Sequence, residues 1–233
     1  MQAVIMAGGR GSRLMPLTKE EPKPMVKLID KPVMEYVLLW LKKHGFFDVA
    51  VTLGYKPEKI RDYFGDGQKF GMKITYFVED SPLGTAGGVK NCAEYLTEKD
   101  FVVVSADCYT EIDLSRAVRF HKNRGSLFTL VCRKVLDATG LGVLEKDSSG
   151  VIKAFVEKPE GRKDALINTG VYVCDRRVLD MIPEGPFDFG KDLLPALVGT
   201  AYAIEDDAYW SDIGTLESYY DTNKKLAKEL AFV

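Results

Sequence analysis

The chain has 233 residues, 46% of them hydrophobic and 28% charged, with a formal net charge of −2. That length suits one α/β domain with a sizeable core, and the near-neutral balance argues against nucleic acid or an anionic membrane as a partner. No apolar run reaches membrane-spanning length, and Cys92, Cys108, Cys132 and Cys174 are dispersed with neither a CxxC pair nor a secretory leader, which predicts reduced thiols in the cytoplasm.

Ala3 to Met6 is a short apolar run that predicts a buried strand. It breaks into Gly8, Gly9 and Gly11, interleaved with Arg10 and Arg13. Glycines there let backbone N–H groups approach an anion, and the Arg13 guanidinium is a forked donor suited to phosphate oxygens. A second cation, Lys23, sits between Pro22 and Pro24, which restrict the backbone on both sides. The P-loop spacing GxxxxGK[ST] is absent, and GxGxxG fails because Leu14 stands at its third glycine. The loop therefore reads as a triphosphate grip of another kind.

Pro32 to His44 carries an apolar helical stripe (Val33, Val37, Leu41), with Lys42 and Lys43 in its last turn and Gly45 as its stop. Asp48 to Leu53 predicts a strand, Pro57 to Phe64 a short helix and Met72 to Val78 a third strand. This alternation predicts a Rossmann-like α/β fold, a mainly parallel twisted sheet with helices on both faces. Ligands of such sheets bind beyond the carboxyl ends of the strands, where the first glycine loop lies. Gly84, Gly87 and Gly88 then mark a second glycine-rich turn that leads into a helix.

Phe101 to Ser105 is the most strand-like run of the chain, and Asp107 follows at its tip, where an unpaired carboxylate would be costly. Asp113 to Arg124 predicts a helix with a good N-cap, and Leu127 to Cys132 a strand. Gly140 to Glu145 and Val151 to Val156 predict short strands joined by a hairpin-type turn over 147–150, followed directly by Glu157-Lys158-Pro159. Phe187 to Val198 reads as a capped packing helix with Asp188 near its start. Leu216, Tyr219, Tyr220, Asn223, Leu226 and Leu230 mark one face of a closing helix. His44 and His121 lack partners at zinc-site spacing and read as surface histidines near helix ends.

The segment AGGRGSRLMPLTKEEPKP (7–24) resembles the opening signature of the sugar-1-phosphate nucleotidyltransferases, the nucleotide-sugar pyrophosphorylases, with Ser12 in place of a threonine. PLGTAG (82–87), Asp107, FVEKP (155–159), INTGVYV (167–173) and YWSDIG (209–214) resemble later family motifs, in the family's order. The resemblance implies one domain over 1–233, with an NTP-binding part over about 1–135, a small β-rich sugar-phosphate-binding insertion over about 136–205, and a closing strand and helix over 206–233. It implies that Ala7, Gly8, Gly9, Gly11, Ser12, Arg13, Glu79, Gly84 and Thr85 bind the NTP. Gly142, Glu157, Lys158, Asn168, Thr169 and Gly170 would bind the sugar phosphate, the 168–170 stretch as a turn. Arg13, Lys23, Asp107 and Asp212 would be catalytic, with Asp107 and Asp212 holding Mg²⁺, for which oxygen-only ligands are suited. No hexapeptide repeats follow, so a C-terminal β-helix is not expected, and a homo-oligomer is compatible with the sequence.

The implied reaction joins an NTP to a sugar-1-phosphate and releases pyrophosphate. Glu79 stands where family members that use uridine, thymidine or adenosine nucleotides commonly have Gln. A carboxylate only accepts, which matches the adjacent N1–H and N2–H₂ donors of guanine. The sequence thus leans to GTP and mannose-1-phosphate or a related sugar, with dTTP, UTP or ATP and glucose-1-phosphate as the alternative. A metal-dependent glycosyltransferase would carry a DxD pair where this chain has Asp107-Cys108-Tyr109, and a silent nucleotide-binding subunit would have lost cations or aspartates that are present here.

Overall fold

The computed structural model describes residues 1–231. Strand β1 (Gln2–Ala7) leads through the glycine loop to two short paired segments, β2 (Lys27–Leu28) and β3 (Lys31–Pro32). Then come α1 (Val33–Lys43), β4 (Asp48–Leu53), α2 (Pro57–Phe64), β5 (Lys73–Val78), α3 (Gly84–Lys90) and β6 (Asp100–Ser105). The chain continues through β7 (Cys108–Thr110), α4 (Leu114–Arg124), β8 (Phe128–Asp137), β9 (Val143–Lys146), β10 (Ile152–Val156) and β11 (Lys163–Asp175). A π-helical turn (Phe189–Leu193) runs into α5 (Leu194–Ala196), followed by β12 (Tyr202–Glu205), β13 (Trp210–Asp212) and α6 (Leu216–Leu230).

Nine strands form one sheet. Its parallel centre runs β5-β4-β1-β6, in register Ala3↔Val49, Ala3↔Val102 and Val49↔Ile74. Alternate residues of the parallel strands face opposite ways, as the period of two requires. Ile5, Val51 and Val104 pack with Met34, Leu38, Ile60 and Phe64 from α1 and α2 on one face. Val4, Ala50 and Val103 pack with Ala86, Val89 and Leu194 on the other. Leu38 and Phe64 are fully buried, and truncating a residue of this kind to alanine costs about 2–5 kcal/mol in lost transfer energy and cavity formation.

Beyond β6 the sheet turns antiparallel, apart from the parallel pairing of β12 with β8. Residues Val171 to Asp175 of β11 pair with β6, so the first half of β11 projects past the carboxyl end of β6. That projecting half pairs with β9, and the β9–β10 hairpin extends it into a wall over the strand ends. On its other side β11 pairs with β8, which carries β12. A separate two-stranded ribbon joins β13 to β7, with Asp212 opposite Cys108. Helix α6 seals this end, with Leu226 and Ile213 packed against Leu14, Val26, Leu28 and Val33.

Four expectations change. The 168–170 stretch is not a turn but a bulge inside β11, where the register to β8 shifts between Asn168 and Tyr172 and Gly170 adopts φ 74°. Phe187–Val198 is not one regular helix; Leu193 N–H donates to the Asp188 carbonyl, a π-type step, and Pro195 has no N–H to continue the ladder. His121 is buried, because its side of α4 lies against the sheet; its Nδ1 is 2.9 Å from Thr129 Oγ1. On α6 the buried positions are Thr222 and Leu226, whereas Tyr220 and Leu230 are exposed; the packed stripe runs Tyr219, Thr222, Leu226.

Candidate active site

The glycine loop leaves β1 at the carboxyl edge of the parallel strands and folds back on itself. Thr18 Oγ1 donates to the Gly11 carbonyl at 2.8 Å. Gly11 has φ 66°, and a Cβ there would stand 2.7 Å from Lys23 Cβ, so only glycine lets the two limbs of the loop close. That closure carries Lys23 into the interior, where Nζ donates to Asp107 Oδ2 at 2.6 Å and Asp212 Oδ1 at 2.8 Å. The two carboxylates, far apart in sequence, meet because Asp107 directly precedes β7 and Asp212 closes β13; Ile213 N–H also donates to the Asp107 carbonyl at 3.1 Å. Burial alone would lower the Lys23 pKa, but the charges of Asp107 and Asp212 outweigh it and hold the ammonium well above its ordinary value. Burial, and then the Asp107 charge, push Asp212 up, against the pull of Lys23 and Arg13.

Three adjoining cavities meet at Asp107. The largest, about 870 Å³, is lined by Gly8, Gly9, Arg10, Tyr55, Glu79, Gly84 and Thr85, among others. The second, about 230 Å³, takes in Ala7, Gly11, Ser12, Arg13 and Lys23. The third, about 170 Å³, is lined by Gly142, Glu157, Lys158, Asn168, Thr169, Gly170 and Asp212, with Arg13 again. Every candidate residue singled out from the sequence thus borders one of the three.

Local structure explains several placements. The β11 bulge lets Gly170 lie so close to the end of β6 that a Cβ would stand 2.6 Å from Ser105 Oγ. Asn168 Nδ2 donates to the Tyr172 hydroxyl at 2.8 Å, and Trp210 Nε1 donates to the Thr169 carbonyl at 2.9 Å. Lys158 has φ 50°, an unusual and strained conformation for a residue other than glycine. Glu79 Oε2 accepts from Leu83 N–H at 3.0 Å, so one of its oxygens is already engaged with the loop that opens α3. Burial raises its pKa, and the Leu83 bond partly offsets that.

Asp188, Trp210 and Tyr55 are among the lining residues absent from the sequence-derived set. Asp188, read there as packing, accepts from the Thr85 N–H and hydroxyl, both at 3.1 Å, and borders the largest cavity. Trp210, part of the YWSDIG segment but not assigned to the site, stands two residues before Asp212 on the same face of β13. Tyr55, with Arg10 at 5.7 Å over its ring, carried no motif at all.

Two carboxylates fit a magnesium ion, which commonly takes one or two carboxylates and draws its other ligands from water and substrate phosphates. Among the described residues no group of three or more His, Cys, Asp or Glu side chains is arranged to hold a metal.

A family model described as nucleotidyl transferase matches residues 2–229. The chain belongs to the nucleotidyl transferase family. It is 38% identical to the UTP–glucose-1-phosphate uridylyltransferase of Synechocystis sp., over 94% of this chain and 62% of that protein. It is 34% identical to the mannose-1-phosphate guanylyltransferase of Mycobacterium tuberculosis, over 99% of this chain and 66% of that one. The chain therefore spans just under two thirds of the length of these curated relatives. Among solved structures, HddC from Yersinia pseudotuberculosis complexed with GMP-PN superposes with a TM-score of 0.86 at 31% identity, covering 97% of this chain and 99% of that one.

Proposed function

We propose that this nucleotidyl transferase moves a nucleotidyl group from an NTP to a sugar-1-phosphate, giving an NDP-sugar and pyrophosphate. The observation that carries this reading is the meeting of a large cavity, a cationic loop and a smaller polar cavity at Asp107, with Lys23 and Asp212 beside it. The large cavity takes the nucleoside, the loop takes the phosphates, and the small cavity takes the sugar phosphate.

An oxygen of the sugar phosphate attacks the α-phosphorus in line, and the bond to pyrophosphate breaks. No protein nucleophile is required, and the residues act by positioning and charge. Arg13 borders both the phosphate and the sugar cavities, so its guanidinium serves the chain of phosphates and the incoming group together. Lys23 would neutralise charge at the reacting phosphate, and Lys158 would anchor the phosphate of the sugar. Magnesium held by Asp107 and Asp212 would supply charge neutralisation and a template across the reacting phosphates. The same carboxylates hold Lys23 in place, so the lysine and the ion would share one acidic clamp.

The reading favours GTP and mannose-1-phosphate or a related sugar. It is supported by Glu79 at the edge of the nucleoside cavity and by several relatives named mannose-1-phosphate guanylyltransferases. The uridylyltransferase relative supports UTP with glucose-1-phosphate as the second reading. A cytoplasmic site of action agrees with four buried free thiols and with the finding that no helix of the described residues is long and apolar enough to cross a membrane. Pyrophosphate release, measured for five NTPs against a set of sugar-1-phosphates, tests the reaction. A Glu79→Gln variant tests the base reader: relative kcat/KM should move from GTP toward UTP by about tenfold or more. No turnover with any pair refutes the reaction, and an unchanged preference refutes the role of Glu79.

A further inference from the structure

The Glu157 carboxylate lies in a slot with glycine on two sides. A Cβ built on Gly142 would stand 2.8 Å from Glu157 Oε2 and 2.7 Å from the Phe155 ring. A Cβ built on Gly190 would stand 2.7 Å from Glu157 Cδ and 3.2 Å from Oε1, with Oε2 nearer still. Neither glycine has a left-handed backbone, so neither is there to relieve strain; each makes room. Gly190 belongs to the π-helical turn, more than thirty residues away in sequence from Glu157.

The turn cannot easily retreat. Asp188 is tied to the Thr85 N–H and hydroxyl at 3.1 Å, and Phe189 N–H donates to Thr85 Oγ1 at 2.9 Å. Phe189 is buried and stacked on Tyr172, with ring centroids 4.8 Å apart and an interplanar angle of 24°. Tyr172 in turn holds Asn168, which lines the sugar-phosphate cavity. A side chain at position 190 therefore meets a fixed turn behind it and a carboxylate on a flexible stem in front. The carboxylate is what yields.

We propose that Gly190 is a specificity-determining position: its missing side chain opens the slot that aims the Glu157 carboxylate into the sugar-phosphate cavity. The inference rests on the proposed function and deepens it. Glu157 accepts hydrogen bonds from sugar hydroxyls, and Gly190 is the positioning residue that sets where it does so. Position 190 thus governs which sugar-1-phosphates are accepted while leaving the nucleotide side alone.

The test is a double-mutant cycle of Gly190→Ala and Glu157→Ala, with KM measured separately for NTP and for sugar-1-phosphate. A panel of sugar-1-phosphates lacking single ring hydroxyls accompanies it, and thermal unfolding monitors the fold. Gly190→Ala should raise KM for the sugar-1-phosphate about tenfold or more, as expected when a charge-assisted contact is misplaced, with KM for the NTP and Tm nearly unchanged. It should also abolish the wild-type penalty against the one deoxy analogue whose missing hydroxyl Glu157 reads. In the Glu157→Ala background, Gly190→Ala should have no further effect. A wild-type protein with no turnover on any pair overturns the proposed function and this role with it. An active wild type in which Gly190→Ala spares the sugar KM, affects both substrates equally, or acts undiminished without Glu157 overturns the inference alone.

Discussion

Replacing Lys23 with methionine isolates the charge at the centre of the acidic clamp. Methionine keeps much of the apolar stem that packs against Gly11, but removes the ammonium that bonds Asp107 at 2.6 Å and Asp212 at 2.8 Å. Deleting one partner of a fully buried ion pair costs about 3–5 kcal/mol. Here the Asp107 and Asp212 side chains are 32% and 24% exposed, so water relieves part of the repulsion, and we expect about 2 kcal/mol. For a chain of 233 residues that corresponds to a Tm lower by about 4–8 °C. Scanning calorimetry without nucleotide, with and without millimolar Mg²⁺, measures it. The ion should restore much of the lost Tm in the variant by binding the vacated carboxylates, and should raise that of the wild type less, because without substrate phosphates to complete the ion's coordination Lys23 already neutralises part of the clamp. A variant as stable as the wild type, or equal Mg²⁺ responses in the two proteins, would refute the argument.

Asp107→Asn and Asp212→Asn should each lower kcat about a hundredfold or more while Tm falls little, as steady-state pyrophosphate release alongside thermal unfolding will show; near-normal turnover at saturating Mg²⁺ removes that residue from the centre. Lys158→Ala should raise KM for the sugar-1-phosphate about tenfold to a hundredfold and leave KM for the NTP within about twofold, a split read by titrating each substrate separately. His121 gives a pH dependence. Burial holds its imidazole below the ordinary value, although Asp100 and Asp175 pull the other way. The unfolded chain therefore takes up the proton first as pH falls below about 6.5, and the folded state loses stability there. His121→Gln should flatten that acid-side loss in denaturant titrations at pH 7 and pH 5.5, and an unchanged slope would exclude His121 as its source.

The parallel half of the fold was legible because its strands are short, apolar and separated by amphipathic helices. Asp48–Leu53 and Pro57–Phe64 end where the sequence predicts, and Phe101–Ser105 begins one residue earlier. The antiparallel half was harder to read. Lys163–Asp175 is thirteen residues long, but its first four residues are exposed or half-exposed and its bulge at Gly170 carries a turn residue, so 168–170 reads locally as a turn inside a strand that its partners β8, β9 and β6 define. His121 was misplaced for a similar reason. A histidine in a charged helical segment looks solvated until the sheet beneath supplies Thr129. In the site, the cations and aspartates were readable because they sit in dense local motifs. Asp188 and Gly190 were not, because their significance lies in long-range contacts with Thr85 and Glu157 that no local pattern encodes.

The ribbon that joins β7 to β13 has a consequence for the order in which the molecule matures. Every strand of the large sheet lies at or before Glu205, so a chain emerging from the ribosome can complete that sheet while Asp212 is still to come. The acidic clamp then lacks one of its two carboxylates. The second carboxylate arrives with the segment that also brings Ile213 and α6 onto the loop around Leu14, so one docking event seals the loop and finishes the centre. On the proposed function, turnover would then depend on the docking of β13 and α6 as well as on completion of the large sheet.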